Sequence, residues 1–125
     1  MRLLLDTQVF LWFLGDSRRL SHAGRALINE AEEVYVSAAS IWEVAIKASI
    51  GKLKATPEDV CQGIDASGFT ELPVRAIHAT AVAGLPPHHR DPFDRLLVAQ
   101  ALLEPLLLVT ADSELVAYSP LIRVI

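Results

Sequence analysis

The feature that most constrains this chain is the alternation of short apolar runs with helix-forming segments. Runs 2–5, 34–37 and 106–110 are rich in Leu, Val or Ile, and their length and composition are typical of buried strands. Helix-start signals lie between them: Asp91 precedes Pro92, the order of an N-cap followed by proline at the first helical position. Strands that alternate with helices form βαβ units. The pattern therefore predicts an α/β fold with a parallel sheet covered by helices on both faces.

Weaker apolar runs at 69–72 and 122–125 complete a set of five predicted strands. No repeat, linker or low-complexity segment interrupts the alternation, so we expect a single domain over residues 1–125. We predict helices at 9–14, from a Ser21 cap towards Glu33, at 41–50 with Ser40 as the cap, from Pro57 with Thr56 as the cap, and at 74–83, 92–103 and 111–116.

Composition narrows the class of protein. Apolar residues make up 52% of 125 residues, which suits a globular domain with a real core. Cys61 is the only cysteine, so an internal disulfide is excluded and a reducing compartment is favoured. Residues 1–5 lead directly into Asp6 without the pattern of a secretory leader, and no apolar run approaches the roughly 20 residues that span a bilayer. We expect a cytoplasmic protein that makes no membrane contact.

Four acidic residues are predicted to meet at one edge of the sheet. Asp6 directly follows the first strand, and Asp112 lies two residues beyond the strand at 106–110. Asp94 lies in the first turn of the helix that precedes that strand, and Glu43 in the first turn of the helix that follows 34–37. Ligands of such sheets collect beyond the carboxyl ends of the strands. We therefore predict a carboxylate cluster there.

Such a cluster favours metal chemistry. Carboxylates a few ångströms apart do not all stay ionised without a cation. A site that offers oxygen atoms, without cysteine, suits Mg²⁺ or Mn²⁺ better than Zn²⁺. These ions activate water and hold phosphate groups, so hydrolysis of a phosphodiester is the chemistry that best fits the pattern.

Each acid also has a structural interpretation. Asp6 is a candidate N-cap for a helix that starts near Thr7, and Asp112 for one that runs from Ser113 to Val116. Glu43 lies four residues before Lys47, the favourable order for an ion pair within a helix. Asp91 and Asp94 fit a capping box around Pro92, in which Asp91 is the cap, so we expect Asp91 to be structural.

Four segments of the chain resemble the signatures of PIN-domain proteins and, more closely, of the VapC-like toxins of bacterial type II toxin–antitoxin pairs. They span essentially the whole chain in the family's order, and they are Leu3-Leu4-Leu5-Asp6-Thr7, residues 37–43 (SAASIWE), residues 89–100 (HRDPFDRLLVAQ) and Leu108-Val109-Thr110-Ala111-Asp112. The resemblance implies a PIN-like three-layer α/β/α fold whose five parallel strands lie in the order 3-2-1-4-5.

The resemblance also implies a function. It points to a Mg²⁺- or Mn²⁺-dependent ribonuclease whose acidic positions fall on Asp6, Glu43, Asp94 and Asp112. Asp6, Asp94 and Asp112 are expected to hold the metal, with Glu43 as a further ligand or as a group that orients the attacking water. Thr110 and Thr7 are expected to support them. One departure from the family pattern is Gln8, where close relatives often have histidine, and this bears on the substrate rather than on catalysis.

Partners follow from the resemblance as well: an RNA substrate, a cognate antitoxin that places a basic side chain into the acidic pocket, and a second copy of the chain. The mean hydropathy of +0.37 is consistent with such extra buried surface. Two alternatives remain within the fold: an RNA-processing nuclease outside a toxin–antitoxin pair, and a non-catalytic module that binds RNA or protein. A receiver or phosphatase domain is disfavoured because no lysine follows a predicted strand.

The net charge of −4 argues at first sight against a nucleic-acid-binding protein. Basic residues nevertheless lie beside the acids in the sequence, and a bound metal ion inverts the local field. Adjacent histidines after Pro86-Pro87 indicate a loop, from which His89 is a weaker candidate contact. The candidate RNA contacts are therefore Arg90, Arg95, Lys47 and His89.

Overall fold

The structure is a computed structural model that describes residues 1–125, and it confirms the alternating plan. The strands are β1 (Arg2–Leu5), β2 (Glu33–Ser37), β3 (Thr70–Leu72), β4 (Leu107–Thr110) and β5 (Ile122–Val124). The helices are α1 (Thr7–Leu14), α2 (His22–Glu30), α3 (Ala38–Ser49), α4 (Pro57–Ala66), α5 (Ala76–Val82) and α6 (Pro92–Leu103), with a 3-10 helix at Ser113–Tyr118.

All five strands are parallel and lie in the order β3-β2-β1-β4-β5, as predicted. The central strand is β1, where Leu5 lies beside Val36 of β2 and Val109 of β4. Strands β2 and β3 are added on one side of β1 and strands β4 and β5 on the other, so the strand order reverses at β1. This switch point is where α/β folds bind ligands. The carboxyl ends of β1, β2 and β4 therefore meet at one edge.

Two cores cover the two faces of the sheet. Leu3 and Leu5 point into a core formed under α1 to α4, which also buries Phe10. Leu4 points the other way, into a core that includes Leu97 of α6 and Leu115 of the 3-10 helix. Because both faces are buried, the strands are apolar throughout rather than alternating. None of the helices has both the length and the apolar character needed to cross a membrane.

The start of α3 differs from the prediction. The helix begins at Ala38 with Ser37 as its N-cap, whose hydroxyl accepts a hydrogen bond from the Ala39 amide at 3.0 Å. Ser40, the predicted cap, lies buried inside the helix with its hydroxyl 2.9 Å from that of Thr7. The last residue of β2 thus begins the helix without an intervening loop, and Glu43 lies in the second turn rather than the first.

Other boundaries were predicted less accurately. Helix α4 begins at Pro57, but the side chain of Thr56 makes no capping hydrogen bond. The predicted helix at 74–83 is confined to α5, because Arg75 is its N-cap and has an extended backbone. The predicted helix at 111–116 is the 3-10 helix, which Asp112 caps by accepting from the Glu114 amide.

Candidate active site

A cavity of about 560 Å³ opens at the carboxyl edge of the sheet. The predicted acids Asp6, Glu43, Asp94 and Asp112 all line it, and so does Asp91. Its remaining lining consists of Thr7, Gln8, Leu11, Trp12, Val44, Lys47, Lys52, Leu53, Ala111 and Ser113. The structure therefore brings the four acids, which come from four separate segments, to the wall of one cavity.

Asp6 is buried at the end of β1, where it serves two purposes. Its Oδ1 accepts a hydrogen bond from the Val9 amide at 2.8 Å, so it is the N-cap of α1. Its Oδ2 accepts a hydrogen bond from the Thr110 hydroxyl on the neighbouring β4. Burial raises the pKa of Asp6, and these two hydrogen bonds oppose that effect. The capping role suggested by the sequence is compatible with a place at the cavity wall.

Glu43 is buried and held by two partners. Its Oε1 accepts a hydrogen bond from the Thr7 hydroxyl at 2.7 Å, and its Oε2 lies 2.7 Å from the Lys47 ammonium group. The ion pair one helical turn apart is therefore present, as the sequence spacing predicts. Hydrogen bonding to this carboxylate also raises the pKa of Lys47. The two contacts fix the orientation of the Glu43 carboxylate at the cavity.

Asp94 differs from the other acids because its carboxylate accepts no hydrogen bond from the protein. The nearest basic side chain is that of His89, whose Nε2 lies 3.6 Å from Asp94 Oδ2, beyond hydrogen-bond distance. Burial raises the pKa of Asp94 to about 7, and the negative charges of Asp91 and Asp6 add to the shift. A carboxylate that is partly buried among other acids, without a donor, is stabilised most by a bound cation.

Asp91 is the N-cap of α6, as the sequence predicts. Its Oδ1 accepts hydrogen bonds from the amides of Phe93, at 2.8 Å, and Asp94, at 3.1 Å. The predicted capping box is incomplete, because the Asp91 amide donates to His89 Nδ1 at 3.0 Å rather than to the Asp94 side chain. This leaves the Asp94 carboxylate free of the helix start and directed to the cavity wall.

Asp112 is linked by hydrogen bonds to His89 and, through Thr110, to Asp6. Its Oδ1 accepts from the Glu114 amide at 2.9 Å, and its Oδ2 lies 2.8 Å from His89 Nε2. Its own amide donates to the Thr110 hydroxyl, which in turn donates to Asp6. Burial alone would raise the pKa of Asp112, but the hydrogen bonds from the Glu114 amide and from His89 hold it below its usual value. Thr110 therefore links the acids at the ends of β1 and β4.

The loop at 83–91 carries His89 to the acids, and two side chains fasten it. The Tyr118 hydroxyl accepts a hydrogen bond from the His89 amide at 2.9 Å and one from Arg95 Nη1 at 3.1 Å. The hydrogen bond to Asp112 raises the pKa of His89. The Arg95 guanidinium also donates to backbone carbonyls of this loop and of the end of α5, namely those of Val82, Leu85, Pro86 and His89.

These contacts change how the predicted RNA contacts are interpreted. Arg95 is occupied by the loop, so its geometry favours a positioning role over a direct RNA contact. Arg90 is exposed and makes no ion pair within the chain, and it stays a predicted contact. Lys47 is paired with Glu43, whereas Lys52 lines the cavity without a partner. The sequence does not point to Tyr118, because an isolated tyrosine is part of no local pattern.

The donor atoms that approach one another most closely are those of His89, Asp112 and Glu114, all within 4.8 Å. This group is a poor metal site. Nδ1 of His89 accepts a hydrogen bond from the Asp91 amide, so the proton of the neutral ring is on Nε2. A protonated Nε2 has no lone pair to offer a metal ion. The four predicted acids share the cavity without converging to that separation. These acids offer only oxygen ligands, and Asp94 accepts no hydrogen bond, so the set fits a divalent cation that prefers oxygen ligands.

Known proteins resemble this chain in both sequence and fold. The chain matches the family model of the PIN domain over residues 3–119. It is 33% identical over 118 residues to Ribonuclease VapC22 of Mycobacterium tuberculosis, a match that covers 90% of this chain and 88% of that relative.

Two solved structures share the fold. A toxin–antitoxin complex from Klebsiella pneumoniae gives a TM-score of 0.68 at 20% identity, over 97% of this chain and 95% of that one. VapBC2 from Rickettsia felis, bound to a DNA fragment from their promoter, gives a TM-score of 0.70 at 16% identity, over 100% and 98% of the two chains. At this identity the structural likeness bears on the fold alone.

Proposed function

This chain belongs to the PIN-domain family, and from that premise we propose that it is a metal-dependent ribonuclease and the toxin of a toxin–antitoxin pair. The observation that carries the proposal is the cavity lined by Asp6, Glu43, Asp94 and Asp112, where Asp94 lacks any protein donor. The relative at 33% identity, a ribonuclease, supports the same activity. We propose that this activity takes place in the cytoplasm.

The proposed roles follow from the contacts of each side chain. Asp6, Asp94 and Asp112 would hold the ion, which we propose to be Mg²⁺ or Mn²⁺. When bound, such an ion neutralises phosphate charge and makes water more acidic. Thr110 keeps Asp6 and Asp112 in register through its two hydrogen bonds. These residues prepare the site for a phosphodiester before the substrate arrives.

Hydrolysis joins a water oxygen to phosphorus and breaks one phosphorus–oxygen ester bond, while the leaving oxygen gains a proton. Glu43 orients the attacking water, since Thr7 and Lys47 hold its carboxylate at the cavity wall. Lys52 offers an unpaired positive charge to the phosphate. No serine, cysteine or histidine nucleophile takes part in this scheme.

The activity is tested with the purified chain and a single-stranded RNA, in EDTA and in buffers with Mg²⁺ or Mn²⁺. We expect cleavage with either or both metals and none in EDTA, because the carboxylates alone do not stabilise the developing phosphate charge. Absence of cleavage in both metals contradicts the proposal. Equal cleavage in EDTA contradicts its metal dependence.

The toxin role is tested in a bacterial host. Both similar solved structures contain a toxin–antitoxin or VapBC assembly, which supports an antitoxin partner for this chain. We expect induced expression to arrest growth, and expression of the small protein from the adjacent reading frame to relieve the arrest. If the purified chain cleaves RNA but its induced expression does not slow growth, the chain is assigned to RNA processing instead.

A second copy of the chain is a further proposed partner. Trp42, Ile46 and Ile50 follow one another at four-residue spacing, with Ile50 at the C-cap of α3, and they are 61%, 37% and 60% exposed. An apolar stripe on one helical face is typical of a protein interface. We expect a dimer by light scattering, and a monomer for Ile50→Asp. A monomeric wild-type chain contradicts this assignment.

A further inference from the structure

A second cavity adjoins the first and extends away from the acids, and the two cavities together are called the groove. It has a volume of about 630 Å³ and lies between α1, the α3–α4 connection and α4. It shares four lining residues with the first cavity: Gln8, Leu11, Trp12 and Leu53. The two cavities are therefore neighbours across a common wall, and one extended ligand can occupy both.

The chemistry of the groove changes along its length. The first cavity is rich in carboxylates, whereas the second is lined mainly by apolar side chains, among them Leu14 and Val60. Lys52 lines the first cavity and Lys54 the second, and neither makes an ion pair within the chain. An apolar pocket flanked by Lys52 and Lys54, with Asp59 as its one carboxylate, complements a ligand that alternates flat apolar groups with negative charges.

Trp12 and Gln8 lie on the wall between the cavities with their polar groups free. They are four residues apart on α1 and so share one helical face. Trp12 is half-buried, its ring stacks on no aromatic ring of the chain, and its indole N–H donates no hydrogen bond within it. The side-chain amide of the exposed Gln8 likewise has no partner in the chain. The polar groups of both side chains are therefore available to a ligand.

Single-stranded RNA offers matching groups. Proteins that bind it stack unpaired bases on aromatic side chains and hydrogen-bond the base edges. A glutamine amide both donates and accepts, so it pairs with complementary edges of a base. A nucleotide whose phosphate lies among the acids brings its neighbouring base to the shared wall.

We propose that Trp12 and Gln8 form a nucleobase subsite, in which a base adjoining the scissile phosphate stacks on Trp12 and Gln8 contacts its edge. This inference rests on the proposed ribonuclease function and adds the substrate class that the groove takes: unpaired RNA, with base preference set by α1. A peptide segment is the competing occupant of an apolar groove. The unpaired lysines and the free amide beside an aromatic ring favour RNA.

The test measures RNA binding without cleavage. The host protein is the full chain with Asp94→Asn in buffer with Mg²⁺, and the Trp12 signal is the part of the fluorescence change that Trp12→Phe removes, so that Trp42 stays in place. The probes are labelled hexaribonucleotides of adenylate, cytidylate, guanylate and uridylate, together with an abasic hexamer of the same phosphate count. Trp12 fluorescence reports stacking, and anisotropy of the labelled RNA reports Kd.

We expect base-containing RNA to quench Trp12 and at least one hexamer to bind about 5- to 150-fold more tightly than the abasic one, the range for stacking on an aromatic side chain. Trp12→Ala should remove that difference, and Trp12→Phe should keep much of it. Gln8→Ala should leave the advantage over abasic RNA but flatten the ranking of the four bases. Ile77→Ala, which alters an exposed residue of α5, should change neither quantity.

Equal Kd values for abasic and base-containing RNA would overturn the subsite, and so would unchanged binding after Trp12→Ala. Quenching of Trp12 by an amphipathic basic peptide, with none by RNA, would assign the groove to a protein partner. The wild-type cleavage assay separates the two proposals. If the chain cleaves RNA but its binding does not depend on the base, only the subsite is contradicted. If binding depends on the base but no cleavage occurs, only the ribonuclease function is contradicted.

Discussion

At the scale of single residues, Asp94 carries an electrostatic cost that no hydrogen-bond donor of the protein offsets. It lies near Asp91 and Asp6, with its pKa raised to about 7 by burial and by their charges. An unfolded aspartate has a pKa of about 3.9. Because the folded value is the higher one, folding favours the protonated form. The contribution of Asp94 to stability is therefore present below about pH 4 and lost as the pH rises through about 7.

This sign predicts the effect of Asp94→Asn on the metal-free protein. The variant should be more stable than the wild type at pH 8, by a few degrees in Tm, since about 1 kcal/mol shifts Tm by about 4 °C. The difference should vanish near pH 4, where the wild-type carboxyl is neutral. Thermal denaturation in EDTA across this range measures it. Asp65→Asn, at an exposed position on α4, is the control; a variant destabilised at every pH would contradict the interpretation.

His89 is predicted to position Asp112 through its Nε2–H group. His89→Ala removes that donor, and loss of a partner that orients a metal ligand typically lowers activity or metal affinity by about 10- to 100-fold. His89→Gln keeps an N–H donor of similar reach and should restore most of the activity. The decisive readout is the metal concentration that gives half-maximal cleavage, which should rise for His89→Ala only. Identical metal dependence in all three proteins would leave His89 without this role.

At the scale of elements, the direct passage from β2 into α3 sets the position of Glu43. Sequence patterns favoured Ser40 as the cap, since serine there precedes an apolar helical run. Ser37 takes the role because β2 ends at the sheet edge, where its hydroxyl meets the Ala39 amide. Ser40 instead lies beside Thr7, which hydrogen-bonds Glu43. Local propensity did not distinguish the two serines, and the tertiary contact did.

Two cap variants test this arrangement. Ser37→Ala should lower the free energy of unfolding by about 1 kcal/mol, the usual cost of losing a serine cap. Ser21→Ala, which removes the hydrogen bond to the Gly24 amide at the start of α2, should cost a similar amount. Only Ser37→Ala should also lower cleavage, because α3 carries Glu43. Urea denaturation and cleavage rates measure both effects, and a stability unchanged by Ser37→Ala would refute the cap.

At the scale of the whole molecule, the sequence predicts the topology and the shared edge of the four acids. The reason is that apolar strands buried on both faces and their terminal residues are local patterns, and parallel topology fixes where they meet. The loop fastened by Arg95 and Tyr118 was not predictable in this way. Its contacts join residues 82–89 to Arg95 and Tyr118, and no local sequence pattern predicts them. The second cavity likewise depends on packing between α1 and α4.

Metal binding is expected to stabilise the whole fold. An ion that binds only the folded chain adds about 2.7 kcal/mol at 100 times its Kd. The Tm should therefore rise with Mn²⁺ or Mg²⁺ in the wild-type protein at pH 8. Asp94→Asn should weaken this dependence, since it removes the carboxylate that most lacks a partner. A Tm that does not respond to either ion would contradict a metal site at this edge.

The central claim is that the four acids of one cavity form the active site, and the cleavage rates of single variants test it most directly. Asp6→Asn, Glu43→Gln, Asp94→Asn and Asp112→Asn are compared with the wild type and with Asp65→Asn on one single-stranded RNA in Mn²⁺. We expect each of the four to lower the rate by at least about 100-fold, equivalent to about 2.7 kcal/mol, and Asp65→Asn to leave it unchanged. Wild-type rates in the four folded variants would contradict the claim.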